Sequence, residues 1–293
     1  MIDGLRGVCA AAITPLDMHL RPDPAVAIPY YTSLLESGCD SLNILGTTGE
    51  AMSLSVDDRL RFMEALSGSS LPRERIMIGT GAAALGDTIR LTTAGFRLGF
   101  AAALIMPPFF FRGIPDEGVM HFFELLFEAV HPPTQGVILY HYPAMSGIAF
   151  HPDLVDKLMR DYPGLVGGIK DSSNDPALQH ELHRRHDHLL VFPSSESFLS
   201  GARESGYAGC ISGTVALWPE LAARVWSGDS SAQDELTRRR ESFSGVSIIG
   251  GVRYVMAQRT GDLNWERCLP PLVPLQDDAV STLVSHVERL GTR

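Results

Sequence analysis

Eight times in succession this chain sets a short, mostly apolar run, without regular alternation, before a longer stretch with one apolar face. The apolar runs fall at 7–14, 41–45, 75–80, 101–107, 136–141, 165–170, 189–193 and 208–213. A strand that faces water on one side alternates apolar and polar residues. A run that is apolar throughout is buried on both faces, as the strands of a parallel sheet are. The stretches between the runs, at 23–37, 56–68, 86–98, 116–130, 151–161, 175–186, 197–205 and 219–227, have helical spacing and length. Eight strand–helix units in residues 1–227 match the size of an α/β fold of the (β/α)8 TIM barrel type. A doubly wound sheet would use the same alternation, but the count closes at eight with even spacing, which favours the barrel. Residues 228–293 are expected to form a helical extension packed on the barrel as one structural unit, since no linker rich in Gly, Pro or Ser separates them. The clearest helix of the extension lies in 273–291, with aspartates near its start and Gly291 at its end.

Charge narrows the range of partners. The net charge is −10, which disfavours a nucleic-acid groove or an anionic membrane surface, both of which need basic patches. The densest basic stretches, "HRRHDH" (183–188) and "TRRRES" (237–242), are short and read as solvated helix faces. The four cysteines, Cys9, Cys39, Cys210 and Cys268, are far apart, with no CxxC and no Cys/His ligand spacing. Reduced cysteines in a cytoplasmic protein are the expectation. The N-terminal "MIDGLRGVCAAAITPLD" reads as a first strand, not as a signal peptide. No apolar stretch approaches the roughly 20 residues needed to span a bilayer.

Active sites of such barrels lie at the C-terminal ends of the strands. Those ends carry "GTTGE" (46–50), Tyr140, Lys170, "PSSE" (193–196) and "SGT" (212–214). Lys170 stands out because the chain otherwise writes its cations as arginine: of 24 Lys and Arg residues only Lys157 and Lys170 are lysine. Arginine does not lose its proton in a protein, whereas a desolvated lysine can do so and attack a carbonyl. The competing reading is a structural lysine paired with Asp171, but the neighbouring residue of a strand points to the opposite face. Lys157 sits in "LVDKLMRD" on an ordinary helix. The "GTTGE" turn, from Gly46 through Thr47 and Thr48, offers two hydroxyls and several backbone N–H groups, which suits a carboxylate. Tyr140 is either a proton carrier or a core aromatic. "GTGAAALG" (79–86) lacks the third glycine of a dinucleotide fingerprint and the acidic residue at a strand end some way beyond it, so it reads as a barrel turn. No Ser-His-Asp, GxSxG or HExxH pattern is present.

In order and spacing, "GTTGE", "LYHYPAMSG" and "GIKDSS" resemble the dihydrodipicolinate synthase/N-acetylneuraminate lyase family, over about residues 5–275 and including "PPLVPL" near the end. The resemblance implies a (β/α)8 class I lyase that forms a Schiff base with pyruvate or another 2-oxo acid. It also implies no metal or organic cofactor and a homotetramer arranged as a dimer of dimers. Carried over by motif, Lys170 is the Schiff-base lysine, Tyr140 the proton carrier, and Thr47 and Thr48 the carboxylate pair, with Thr47 relaying protons. Gly46, Gly213 and Ser195 join the substrate-binding set.

The departures bear on the second substrate. Lysine-pathway synthases hold the aldehyde's carboxylate with an arginine in a "YNVPxRTG" stretch. Here the stretch is "YHYPAMSG", and Met145 takes that place. The family's "TPYYN" is "PPFFFRG" here, so Phe109, Phe110 and Phe111 offer no hydroxyl. Arg112 in the same loop is the nearest candidate to replace the missing charge, the alternative being a surface or intersubunit salt bridge. Ala83, Val56 and Arg59 occupy the places of the family's lysine-feedback site. The reading is therefore aldol cleavage or condensation of a 2-oxo acid, such as a 2-keto-3-deoxy sugar acid or a hydroxylated oxo acid. A dehydratase or deaminase using the same enamine, a true dihydrodipicolinate synthase and a non-catalytic barrel are the alternatives.

Overall fold

A computed structural model describes residues 2–289 of the chain, so Gly291, expected to end the last helix, lies outside the described residues. The eight expected strands all form: β1 Gly7–Ala11, β2 Ser41–Ile44, β3 Ile76–Gly79, β4 Ala102–Ile105, β5 Val137–His141, β6 Val166–Asp171, β7 Leu190–Pro193 and β8 Gly209–Ser212. The helices between them are α1 Pro24–Glu36, α2 Val56–Ser67, α3 Leu85–Arg97, α4 Asp116–Val130, α5 Pro143–Ser146, α6 Pro152–Asp161, α7 Pro176–Arg185, α8 Leu199–Glu204 and α9 Pro219–Ser227. Then follow α10 Gln233–Glu241, α11 Ile248–Thr260 and α12 Asp277–Arg289. Neighbouring strands pair in parallel in the order β7-β6-β5-β4-β3-β2-β1-β8. The remaining seam is bridged where the Ala208 N–H, just before β8, donates to the Val191 carbonyl of β7 at 2.9 Å. The architecture is a (β/α)8 TIM barrel, and no helix of the described residues is long and apolar enough to cross a membrane.

Most apolar runs overshoot the strands they mark. β4 stops at Ile105 although the run reaches 107, because Pro107 and Pro108 have no N–H to continue a ladder. β6 instead runs one residue further than expected, to Asp171. Caps that the sequence supplies start several helices. Asp23 accepts from Ala25 N at 2.9 Å, Ser55 from Asp58 N at 3.1 Å and Asp175 from Ala177 N at 2.9 Å.

Alternate residues of the strands sort into two buried layers. Val8, Ala10, Leu42, Ile44, Ile76, Ile78, Leu139 and Val191 pack outward against the helices. Cys9, Ala11, Met77, Leu104, Ile138, Tyr140, Leu190 and Phe192 fill the barrel interior. This double burial is what the uninterrupted apolar runs encode.

One strand breaks the alternation. Val137 lies opposite Val166 but Ile138 lies opposite Gly168, so the register of β5 against β6 steps by one at Gly167. Val166 and Ile169, three apart, both face the helices. Counting by twos from Val166 would turn Lys170 outward; the bulge turns it inward. Only glycine fits there, since a Cβ on Gly167 would come within 2.2 Å of the Gln135 carbonyl oxygen.

Candidate active site

Tyr140 and Lys170 are register partners on β5 and β6, and both point into the barrel mouth. Lys170 is only 4% exposed, and its Nζ lies 4.4 Å from the centroid of the Tyr140 ring. The Tyr140 hydroxyl is 3.2 Å from Thr47 Oγ1. Burial alone would raise the Tyr140 phenol, but the Lys170 charge, aided by the hydroxyls of Thr47 and Ser172, holds it below the ordinary tyrosine range. An amine, an acidified phenol and a hydroxyl relay therefore stand within one small volume. Asp171, the next residue, points the other way: it is fully buried beneath α7 and accepts from Gln179 Nε2 at 2.6 Å and from the Ser173 hydroxyl at 2.7 Å. It is therefore no partner for Lys170, whose counterpart Lys157 lies on α6.

The turn at 46–50 is held in a strained shape. Leu45 and Glu50, which bracket it, both have positive φ (56° each), a conformation that costs side-chain-bearing residues on the order of 1–3 kcal/mol. At Gly46 a Cβ would come within 2.5 Å of Asn43 Oδ1, so a larger residue there has to displace that buried side-chain amide. Buried bonds over-determine the turn. Thr14 Oγ1 donates to the Gly49 carbonyl at 2.8 Å, and the Leu269 N–H donates to Glu50 Oε2 at 2.7 Å. Arg253 of α11 forms a buried ion pair with Glu50, and its guanidinium also donates to the Thr14 carbonyl at 2.8 Å. The ion pair ties the extension to the turn, a link that no local motif foretold. Removing one partner leaves an uncompensated buried charge, so Arg253→Met is expected to cost about 3–5 kcal/mol. Urea unfolding checks this, and a loss below about 1 kcal/mol would show the pair to be dispensable.

The other expected residues are spread around the mouth. Thr48 is buried, and Gly213 packs on it: a Cβ on Gly213 would lie 3.1 Å from both Thr48 Oγ1 and Cγ2. Ser195 is half-buried and accepts from Ser197 N at 3.2 Å, so its hydroxyl caps the turn after β7. Arg112 is exposed at the rim; its stem covers Gly147, where a Cβ would lie 2.8 Å from Arg112 Cγ. Met145, 51% exposed, sits in the adjoining α5. The three phenylalanines diverge. Phe109 packs against the interior cluster that includes Tyr140, whereas Phe110 and Phe111 are 77% and 71% exposed. Arg59 is buried and donates to the Gly79 and Gly81 carbonyls. Gly79, Gly81, Met52, Leu104 and Met106 help line a small, mostly apolar recess beside Thr47 and Tyr140.

Sequence reasoning passed over two residues of this region. Ser172, two beyond Lys170, reaches Tyr140. Glu196 is fully buried beneath the mouth; as the sole acid of "PSSE" it was visible, but nothing in the sequence said it would be enclosed.

Known proteins resemble this chain in sequence or in fold. An uncharacterized DapA-like lyase from Chloroflexus aurantiacus is 31% identical over 292 residues, 97% of each chain. The N-acetylneuraminate lyase of Escherichia coli is 26% identical over 214 residues, 73% of this chain and 70% of that protein. The structure of dihydrodipicolinate synthase from Agrobacterium tumefaciens has the same fold, with a TM-score of 0.90 at 22% identity over 98% of this chain and 99% of that one. The family model described as the dihydrodipicolinate synthetase family matches residues 4–290. With that match spanning nearly the whole chain, the protein belongs to the dihydrodipicolinate synthetase family.

Proposed function

We propose that this enzyme is a Schiff-base-forming lyase that cleaves or assembles a carbon–carbon bond next to pyruvate or another 2-oxo acid. The observation that carries the reading is the buried Lys170 amine held against Tyr140, with the Tyr140 hydroxyl in reach of Thr47. In this reading the 2-oxo acid carboxylate rests on the Thr47 and Thr48 hydroxyls and on backbone N–H groups of the turn that starts at Gly46, with Gly213 closing the far side. Lys170, once it has given up a proton, attacks C2 with its amine. Tyr140 gives a proton to the C2 oxygen, forming a carbinolamine. The proton that the nitrogen sheds, passed through Thr47, lets that oxygen leave as water, and a protonated imine remains beside the Tyr140 phenolate. In cleavage, the Tyr140 phenolate takes the proton of the C4 hydroxyl and the C3–C4 bond breaks. Its electrons flow to the iminium as an aldehyde departs and an enamine forms. Protonation at C3 and hydrolysis return pyruvate and the amine. The substrates we favour are 2-keto-3-deoxy sugar acids or hydroxylated oxo acids. A lactate-dehydrogenase-coupled screen for pyruvate release across a panel of such acids tests this. Pyruvate from none of them, with conversion of one to a dehydrated or deaminated oxo acid, would favour the dehydratase or deaminase chemistry instead.

Lysine-pathway synthesis is disfavoured. Met145 cannot ion-pair a carboxylate, and a charge-assisted hydrogen bond contributes roughly 1.5–3 kcal/mol, or about ten- to a hundredfold in affinity. Pyruvate plus aspartate semialdehyde is therefore expected to give a poor kcat/KM. Lysine is expected not to inhibit, because Ala83, Val56 and Arg59 stand where the resemblance puts the usual polar residues of the feedback site. Steady-state kinetics on the wild type, Met145→Arg and Arg112→Ala decide. Efficient synthesis by the wild type overturns the argument, and unchanged rates in Arg112→Ala make Arg112 structural only. The family's homotetramer is our expectation for the assembly, supported by the exposed Phe110–Phe111 pair, whose rings meet edge-to-face at 5.3 Å; light scattering reads the mass. Four free cysteines support a cytoplasmic setting.

A further inference from the structure

Gly213, the glycine that packs on Thr48, lies between two hydroxyls that a single buried carboxylate holds. Ser212 Oγ donates to Glu196 Oε2 and Thr214 Oγ1 donates to Glu196 Oε1, both at 2.5 Å. Glu196, Ser212 and Thr214 are each 2% exposed or less. Among the described residues no cation pairs with Glu196, so these two hydroxyls carry its solvation. Gln233 of α10 fixes the segment from behind, its Nε2 donating to the Glu196 carbonyl at 3.1 Å. A carboxylate that is enclosed in this way cannot touch substrate. It can set the position of the peptide between its two donors.

We infer that Glu196 is a positioning residue: by gripping Ser212 and Thr214 it presses Gly213 against Thr48 and so shapes the site that receives the 2-oxo acid carboxylate. The inference rests on the proposed pyruvate chemistry for its ligand. It adds that part of the affinity for that ligand is set from the turns after β7 and β8, through a residue that makes no contact with it. Charge-assisted hydrogen bonds to a buried carboxylate are strong and short, and breaking one lets its donor relax.

The test compares wild type, Glu196→Gln, Thr214→Val and Thr214→Ser. Pyruvate affinity is measured by calorimetry, the rate of borohydride trapping at saturating pyruvate is measured separately, and thermal melting reports folding. Glu196→Gln and Thr214→Val are expected to weaken pyruvate binding about tenfold while trapping at saturation changes by less than about twofold. Thr214→Ser, which keeps the donor, is expected to restore wild-type affinity. Melting that falls while pyruvate affinity stays at the wild-type value overturns the inference, because the carboxylate would then be a structural clasp only. Affinity lost in Thr214→Ser as severely as in Thr214→Val also overturns it. Should Glu196→Gln fail to fold, the two Thr214 variants decide alone. A wild type that binds pyruvate without trapping it refutes the Schiff base but leaves the affinity comparison intact. A wild type that neither binds nor traps pyruvate sinks both readings.

Discussion

Incubated with pyruvate and sodium borohydride, the protein is expected to gain one reduced pyruvate adduct, on the peptide that contains Lys170, and to lose activity in proportion. The amine is buried, it faces the barrel mouth, and Asp171, the neighbouring acid in sequence, is engaged on the opposite face of the strand. Lys170→Arg keeps a cation of similar reach but removes the nucleophile, because guanidinium does not deprotonate. Removal of an enzyme's covalent nucleophile has cost on the order of 10⁶-fold in kcat elsewhere, so turnover here should fall below detection while circular dichroism stays native. Lys170→Met, which removes the charge as well, should behave alike and guards against misreading a strained Arg. An adduct on Lys157 alone, or on no lysine, would remove the chemical basis of the proposal.

Replacing Tyr140 with Phe is expected to lower kcat by at least the ~10²–10⁴-fold typical of a lost general acid–base group. The ring would still fill its place against the interior cluster, so stability should change little and the loss would be chemical. Phe109, Phe110 and Phe111 bring no hydroxyl to Tyr140, so its proton must exchange through Thr47, through Ser172 with water, or through the substrate's carboxylate. Thr47→Val in the Tyr140→Phe background then adds little to the loss in kcat, because the two act as one proton path, while KM rises with the lost contact to the substrate carboxylate. A loss in Tyr140→Phe of tenfold or less would show that another group carries the proton.

Much of this protein is legible without coordinates. Mostly apolar runs marked the number of strands and their burial on both faces, and Asp23, Ser55 and Asp175 marked helix starts that the structure keeps. Placing the active site at the strand ends then singled out Lys170 from residue chemistry, whereas Tyr140 and the 46–50 turn took their roles from the family resemblance. Strand lengths were less legible, since hydrophobicity reports burial and not pairing. Leu45 and Met106 are as buried as their neighbours on the strands, yet they lie beyond the strand ends.

Three features depended on the tertiary structure. The inward aim of Lys170 rests on the bulge at Gly167, and a period-two count along β6 points it to the helices instead; only the packing of β5 beside β6 shows which residue is skipped. The burial of Glu196 beneath Gly213 brings together β7 and β8 with α10, whose residues are 16 to 37 positions apart. The ion pair between Glu50 and Arg253 joins residues 203 positions apart and anchors a strained turn to the extension. Local sequence specifies propensity, period and reactive group, because these act over a few residues. Which buried charge meets which partner is settled only when distant segments exclude water together, since the stabilising partner of each charge lies on another element.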